Sequence, residues 1–206
     1  MDRLPAIAAL VLWAAWGVLT LGFRVAIHVK ETGTTGLHGI RAGASASEWA
    51  AGILIVAATV AGIAAPILQL TGVAPLLWVN PIVRVAGGIG ALIGVAATFG
   101  AQIAMGRSWR IGVDPGERTD LVTEGPFAVV RNPIFTTMIV TMVGLALLVA
   151  NGVAAAAAVG MFVAIELQVR SVEEPYLTEV HGDAYLGYLT RVGRFVPGLG
   201  TRRSEA

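Results

Sequence analysis

The stretch that decides the fold is Ile134-Phe-Thr-Thr-Met-Ile-Val-Thr-Met-Val-Gly-Leu-Ala-Leu-Leu-Val-Ala150, then Asn151-Gly152, then Val153-Ala-Ala-Ala-Ala-Ala-Val-Gly-Met-Phe-Val-Ala-Ile-Glu-Leu-Gln-Val169. Each apolar run approaches the ~20 residues that carry a helix across a ~30 Å hydrocarbon layer. The dipeptide between them has room only to reverse the chain, so the two runs read as a helical hairpin. Three more apolar runs precede it: Leu4 to Ile27, Trp49 to Thr71 and Ile82 to Met105. The first is too long for the core of a secretory signal, and no Ala-x-Ala-like site leads from it into a polar region. It is therefore expected to persist as a span.

Composition agrees. Apolar residues make up 56% of the 206 and charged residues 13%, about half the charged share of an ordinary soluble domain. Mean hydropathy is +0.77. The chain has no cysteine, which excludes disulfides, thiolate catalysis and CxxC metal sites. His28, His38 and His181 are too scattered to form a ligand set, so no metal centre is expected. A net charge of +1 gives no attraction to nucleic acid as a partner.

Five spans with the N-terminus outside leave Arg3 and Arg84 on the outer side. The other twelve basic residues, Arg24, Lys30, Arg41, Arg107, Arg110, Arg118, Arg131, Arg170, Arg191, Arg194, Arg202 and Arg203, then lie on the cytoplasmic side. That asymmetry is what the positive-inside rule requires. The expectation is an all-α integral membrane protein of five transmembrane helices, multi-pass in the cell (inner) membrane. Residues 1–105 would form three N-terminal spans. Residues 106–206 would form a second region: a folded, ligand-facing cytoplasmic loop, the hairpin 134–169 and amphipathic C-terminal helices.

Local signals refine the spans. Ser45-Ala-Ser-Glu48 has the spacing of a capping box, Pro66 is expected to kink the second span, and Ala86, Gly90, Gly94 and Thr98 form a small-residue face suited to close helix packing. Asn132 precedes Pro133, a favourable first helical residue, so its side chain is either a helix cap or a ligand contact. In the fifth helix Glu166, Arg170 and Glu174 follow one another at intervals of four, the spacing of an intrahelical ion-pair ladder. Ionisable groups at a membrane helix end are functional candidates by default. Beyond Pro175, Tyr176, Leu177, Val180, Ala184, Tyr185, Tyr188 and Leu189 make an apolar and aromatic stripe interrupted at His181-Gly182-Asp183.

Two polar segments flank the hairpin, Gly106 to Asn132 and Arg170 to Gly200. Leu121-Val-Thr-Glu-Gly-Pro-Phe-Ala-Val-Val-Arg-Asn-Pro-Ile-Phe135 resembles the LVTxGPYxxxRHPxY signature of the isoprenylcysteine carboxyl methyltransferase and phospholipid methyltransferase superfamily. Arg170-Ser-Val-Glu-Glu-Pro-Tyr-Leu177, with His181-Gly-Asp-Ala-Tyr185, Tyr188 and Arg191-Val-Gly-Arg-Phe-Val-Pro197, is similar to its closing pattern. The resemblance covers roughly the last half of the chain, in order.

It implies an integral-membrane enzyme that takes a methyl group from S-adenosylmethionine, with residues 106–206 as its catalytic region and a cofactor pocket, facing the cytoplasm, built by the loop and the amphipathic C-terminal helices. Carried over by position, the cofactor-binding residues would be Thr119, Asp120, Leu121, Val122, Phe127, Asn132, Pro133, Ile134, Phe135, Glu173 and Glu174. Arg170 and Glu174 would be catalytic, Arg170 matching an arginine on the substrate side. This chain has Asn132 where the family has histidine, and Phe127 and Phe135 where it has tyrosine. Asparagine still hydrogen-bonds but carries no charge near neutral pH. The partner would be a lipophilic acceptor of isoprenoid, lipid, phenol or thiol type, drawn from among membrane lipids. The runner-up is an NADPH-dependent reductase of the sterol-reductase type, for which no arginine set stands ready for a 2′-phosphate. The third reading is a non-catalytic membrane protein with a degenerate motif.

Overall fold

The computed structural model describes residues 3–39, 43–112 and 120–202. It is all-helical, with 74% helix and no strands among the described residues. Helix α1 (Leu4–Gly17) runs through a π-helical turn (Val18–Phe23) into α2 (Arg24–Thr32), so the first span continues past Ile27. Next come α3 (Ala46–Leu70), α4 (Pro81–Ala104), a 3₁₀ turn (Gly106–Ser108) and the short α5 (Pro126–Val129). The hairpin is α6 (Pro133–Val149) and α7 (Gly152–Gln168). A second π turn (Val169–Glu173), α8 (Glu174–His181) and α9 (Asp183–Arg191) complete the chain.

Four continuous helices are long and apolar enough to cross a membrane: Leu4–Thr32, Ala46–Leu70, Pro81–Ala104 and Gly152–His181. With the outward-facing Val11, Ile53, Val56, Val85, Leu92 and Val163, they make this a multi-pass membrane protein. Where the fourth span is expected, from Ile134 to Ala150, stands α6 (Pro133–Val149), a shorter apolar helix of 17 residues. At ~1.5 Å per residue it falls a few ångströms short of a ~30 Å layer. The structure thus holds four helices long and apolar enough to cross a membrane and one shorter apolar helix.

Helix starts follow the local chemistry. Ser45 and Glu48 form the reciprocal capping box at α3. Asn80 caps α4 through Ile82 and Val83 N–H, ahead of Pro81. At the hairpin corner Ala150 takes a left-handed conformation, φ 59°, and the fully buried Asn151 accepts from Ala154 N–H while donating to Ala65 C=O, both at 2.9 Å. Pro66 lies inside α3, and having no N–H it leaves Gly62 C=O without its helical donor. The Trp13 indole N–H takes that carbonyl at 3.0 Å, so the proline becomes a junction between α1 and α3.

Packing pairs α4 with α6 and α3 with α7. The α4–α6 seam is antiparallel and close. A methyl group placed on Gly144 would lie 2.5 Å from Ala91 N, and one on Gly94 would lie 2.8 Å from Thr141 N. One turn on, Thr98 Oγ1 donates to Thr137 Oγ1 at 3.0 Å. The face in contact is Gly87, Ala91, Gly94 and Thr98. This corrects the expected stripe in its first half: Ala86 is exposed and an added methyl on Gly90 would meet nothing. A glycine or alanine gains burial only where the partner helix crosses, and that crossing lies one residue round the helix.

Candidate active site

The closing segment is tied to the start of α6 by backbone and side chain together. Arg131 N–H donates to Gly193 C=O at 2.8 Å and Asn132 N–H to Arg194 C=O at 3.1 Å. Thr136 Oγ1 donates to Phe195 C=O at 3.1 Å, and Tyr188 Oη to Phe127 C=O at 2.5 Å.

At the centre of this tie is Glu174. Its carboxylate accepts from Arg194 Nε (2.7 Å) and Nη2 (2.8 Å), a two-point contact, and from Arg131 Nη2 (2.9 Å). The Arg131 side chain is only 2% exposed, and it donates further to the carbonyls of Val192, Leu189 and Gly200. Charge-assisted and bidentate bonds of this kind are the strong ones. The bond to Glu174 raises the affinity of the Arg194 guanidinium for its proton. Burial pushes the Tyr188 phenol up to about 12 and the Tyr185 phenol higher than its ordinary value. Both phenols stay protonated near neutral pH, and that of Tyr188 serves as the donor to Phe127 C=O.

Above this clamp opens a cavity of about 910 Å³. One end is lined by Asp120, Leu121, Val122, Phe127, Asn132, Pro133, Ile134 and Phe135, with Glu173, Leu177, Tyr185 and Tyr188 opposite. The other end is apolar and belongs to the membrane helices, with Trp16, Ile53, Val56, Val60 and Met138 on its wall. Two segments some forty residues apart in sequence are thus brought to one space.

Of the residues expected to hold a cofactor, eight from the loop and helix start (Asp120 through Phe135) and Glu173 line this cavity. Thr119 lies outside the described residues. Glu174 is not on the lining. It faces Arg131 and Arg194 beneath it. Arg170 is not on the lining either: its side chain is 59% exposed and pairs with Glu166. The expected ladder is therefore corrected to one rung. Arg170 lies inside the π turn Val169–Glu173, which ends next to Glu174, and this wider turn swings Glu174 round the axis, away from its α-helical position and onto Arg131 and Arg194.

Asn132 occupies the N-cap position of α6 but makes no side-chain cap bond. Its Nδ2 donates to Arg194 C=O at 3.3 Å, so of the two alternatives the helix cap is not the one found. Residues not singled out from sequence as site candidates also line the cavity, among them Gln102, Arg110 and Gln168. Arg131 and Arg194 were visible only as parts of a motif. Nothing in one sequence distinguishes a guanidinium that holds a carboxylate from one that faces solvent.

Residues 82–184, half of the chain, match the family model described as phospholipid methyltransferase. No curated protein matches the chain. The matched region opens at the start of α4, takes in the loop and the whole hairpin, and closes at the head of α9.

Proposed function

The chain belongs to the phospholipid methyltransferase family, and from that premise we propose that it transfers a methyl group from S-adenosylmethionine to a lipophilic small molecule held in the cavity. Members of this family are membrane methyltransferases that generally use this cofactor. The observation that supports the assignment most is that both segments bearing the signature, 120–135 and 173–188, line one space.

The donor set suits the cofactor. Asp120 and Glu173 offer carboxylates to an ammonium group or to ribose hydroxyls, Asn132 offers an uncharged donor and acceptor, and Leu121, Phe127 and Tyr185 offer flat apolar surface to a purine. When bound, the cofactor supplies an already activated methyl group on a sulfonium. The protein's work is then alignment and exclusion of water. Pro133 and the α4–α6 seam hold one wall rigid. Glu174 acts at one remove: by fixing Arg131 and Arg194 it holds α8 and the 193–200 tail against the start of α6, so that Glu173 and Asn132 keep their places.

We read Pro133–Val149 as a fifth, short span, with the N-terminus outside and the cavity's polar end in the cytoplasm. The basic-residue asymmetry supports this orientation. Reporter fusions after residues 75 and 151 should report outside, and fusions after residues 40, 120 and 206 inside. An inside signal at 151 would overturn the hairpin.

Calorimetric titration tests the activity most directly. S-adenosylhomocysteine should bind the purified protein and NADPH should not, and the reverse result would overturn the proposal. In the same assay Asn132→Ala should lose affinity for S-adenosylhomocysteine with its melting temperature little changed, because the side chain makes no cap bond to lose and Arg194 C=O, which gives up the long Nδ2 bond, keeps the Asn132 backbone N–H. Unchanged affinity would remove Asn132 from the site.

A further inference from the structure

Gln102 sits in the last turn of α4, 5% exposed, on the wall of the cavity. Its Oε1 is enclosed and meets no hydrogen-bond donor. Buried polar atoms in native structures are nearly always partnered, and an exception calls for a reason. The antiparallel seam locates it. Gly94 packs on Thr141 and Thr98 bonds Thr137, so one further turn places Gln102 level with Pro133, beside the segment Asn132–Phe135.

Its surroundings differ from those of the carboxylates. Asp120 and Glu173 come from the loop and the closing helix, whereas Gln102 belongs to the membrane-helix side of the cavity. There Thr20, Met105 and Met138 share the lining, and Thr20 already gives its hydroxyl hydrogen to Trp16 C=O. Beyond them the wall is aliphatic and turned outward, with Ile53, Val56 and Val60 each at least 60% exposed on α3. An amide whose oxygen has no partner therefore stands between a wall suited to an alkyl tail and the segment read as holding the methyl donor.

We propose that the Gln102 carboxamide anchors the head of the methyl acceptor, and that this head is an uncharged hydroxyl group on a lipophilic body. The inference rests on the methyltransferase reading for the acceptor's role, though not for its binding. An amide turned half round its last bond presents N–H where it presented C=O. A hydroxyl, which both donates and accepts, satisfies either setting. Among the described residues a carboxylate or phosphate head would find no free cation at this wall: of the two arginines on the lining, Arg131 is held by Glu174, and Arg110 stacks on Tyr176 at the closing helix. An unpaired charge in such a place is costly.

The test uses the whole protein in phosphatidylcholine nanodiscs without cofactor. The probes are 4-dodecylphenol, dodecylbenzene and 4-dodecylbenzoate, and binding is read from the fluorescence of the cavity tryptophans Trp16, Trp49 and Trp109. Wild type should prefer the phenol to dodecylbenzene by about 10-fold or more, the factor that goes with leaving a buried amide unpaired. Gln102→Leu and Gln102→Met should bring that ratio to about 1 and leave affinity for S-adenosylhomocysteine within about twofold. Both variants should melt no lower than wild type, since they remove an unpartnered amide from an apolar wall.

The proposal is overturned if wild type shows no preference, if the benzoate binds best, or if the leucine and methionine variants keep the preference. It is also overturned if those variants lose S-adenosylhomocysteine while keeping phenol selectivity, because Gln102 would then belong to the cofactor end. If no form binds S-adenosylhomocysteine but phenol selectivity is present and vanishes with Gln102, the methyltransferase reading falls and the hydroxyl site stands.

Discussion

The hairpin α6–α7 is closed in opposite ways at its two ends. At the corner, one neutral side chain suffices: Asn151, fully buried, uses its oxygen on Ala154 N–H and its nitrogen on Ala65 C=O, away from the lining of the 910 Å³ cavity. At the open end three charged side chains, Glu174, Arg131 and Arg194, join elements far apart in sequence beneath a cavity of about 910 Å³. A turn needs only its own backbone groups satisfied. An open cavity removes packing from one side of its walls, and directional charged bonds must then hold those walls in place.

The largest effect expected is at the charged end. Glu174→Ala leaves two guanidiniums facing each other without their carboxylate, and breaking a buried pair in this way costs about 3–5 kcal/mol. Thermal unfolding in detergent should register that loss, and S-adenosylhomocysteine affinity should fall with it as Glu173 and the tail shift. A variant as stable as wild type would mean that the clamp does not hold the wall. Midway along the hairpin, Gly144→Ala pushes a methyl group against Ala91 N. Overpacking of that kind costs about 1–3 kcal/mol, read as a lower melting temperature.

Where local rules govern, the sequence is readable. The Asn151-Gly152 reversal, the Ser45–Glu48 capping box and the His181-Gly182-Asp183 break each depend on residues a few positions apart, and each falls where spacing puts it. The loop and helix-start side of the cavity is readable through the signature that carries it. What depends on distant partners is not. Trp13 meeting the carbonyl freed by Pro66, the one-residue rotation of the α4 packing face and the isolation of Gln102 arise only once helices far apart in sequence are side by side. The π turn at Val169–Glu173 is similarly hidden, because an i, i+4 rule presumes the α-helical pitch that the turn interrupts.

At the neutral corner the expected loss is smaller. Asn151→Ala removes a cap of the kind worth about 0.5–2 kcal/mol, and affinity for S-adenosylhomocysteine should stay as in wild type because the cavity lies at the other end. Loss of affinity with stability intact would erase the distinction between the two ends.

The smallest effect separates two residues that share a motif. Arg170 and Glu174 are four apart and both carry charge, yet Glu174 sits 16% exposed in a three-member cluster whereas Arg170 is 59% exposed with one partner, Glu166. An exposed pair at that spacing contributes about 0.2–1 kcal/mol, screened by salt. Arg170→Ala should therefore change the melting temperature little, and raising the salt concentration should shrink even that difference. Its effect on methyl transfer is a separate question, because Arg170 stands off the cavity lining and reaches an acceptor only if its side chain leaves Glu166. Glu166→Gln tests that step, for it frees Arg170 without removing it. If Arg170 orients the acceptor, Arg170→Ala should raise KM for the acceptor and Glu166→Gln should not. If the pair is only interfacial, neither variant should move KM or kcat, and the functional weight of the closing helix then rests on Glu173 at the cavity and Glu174 beneath it.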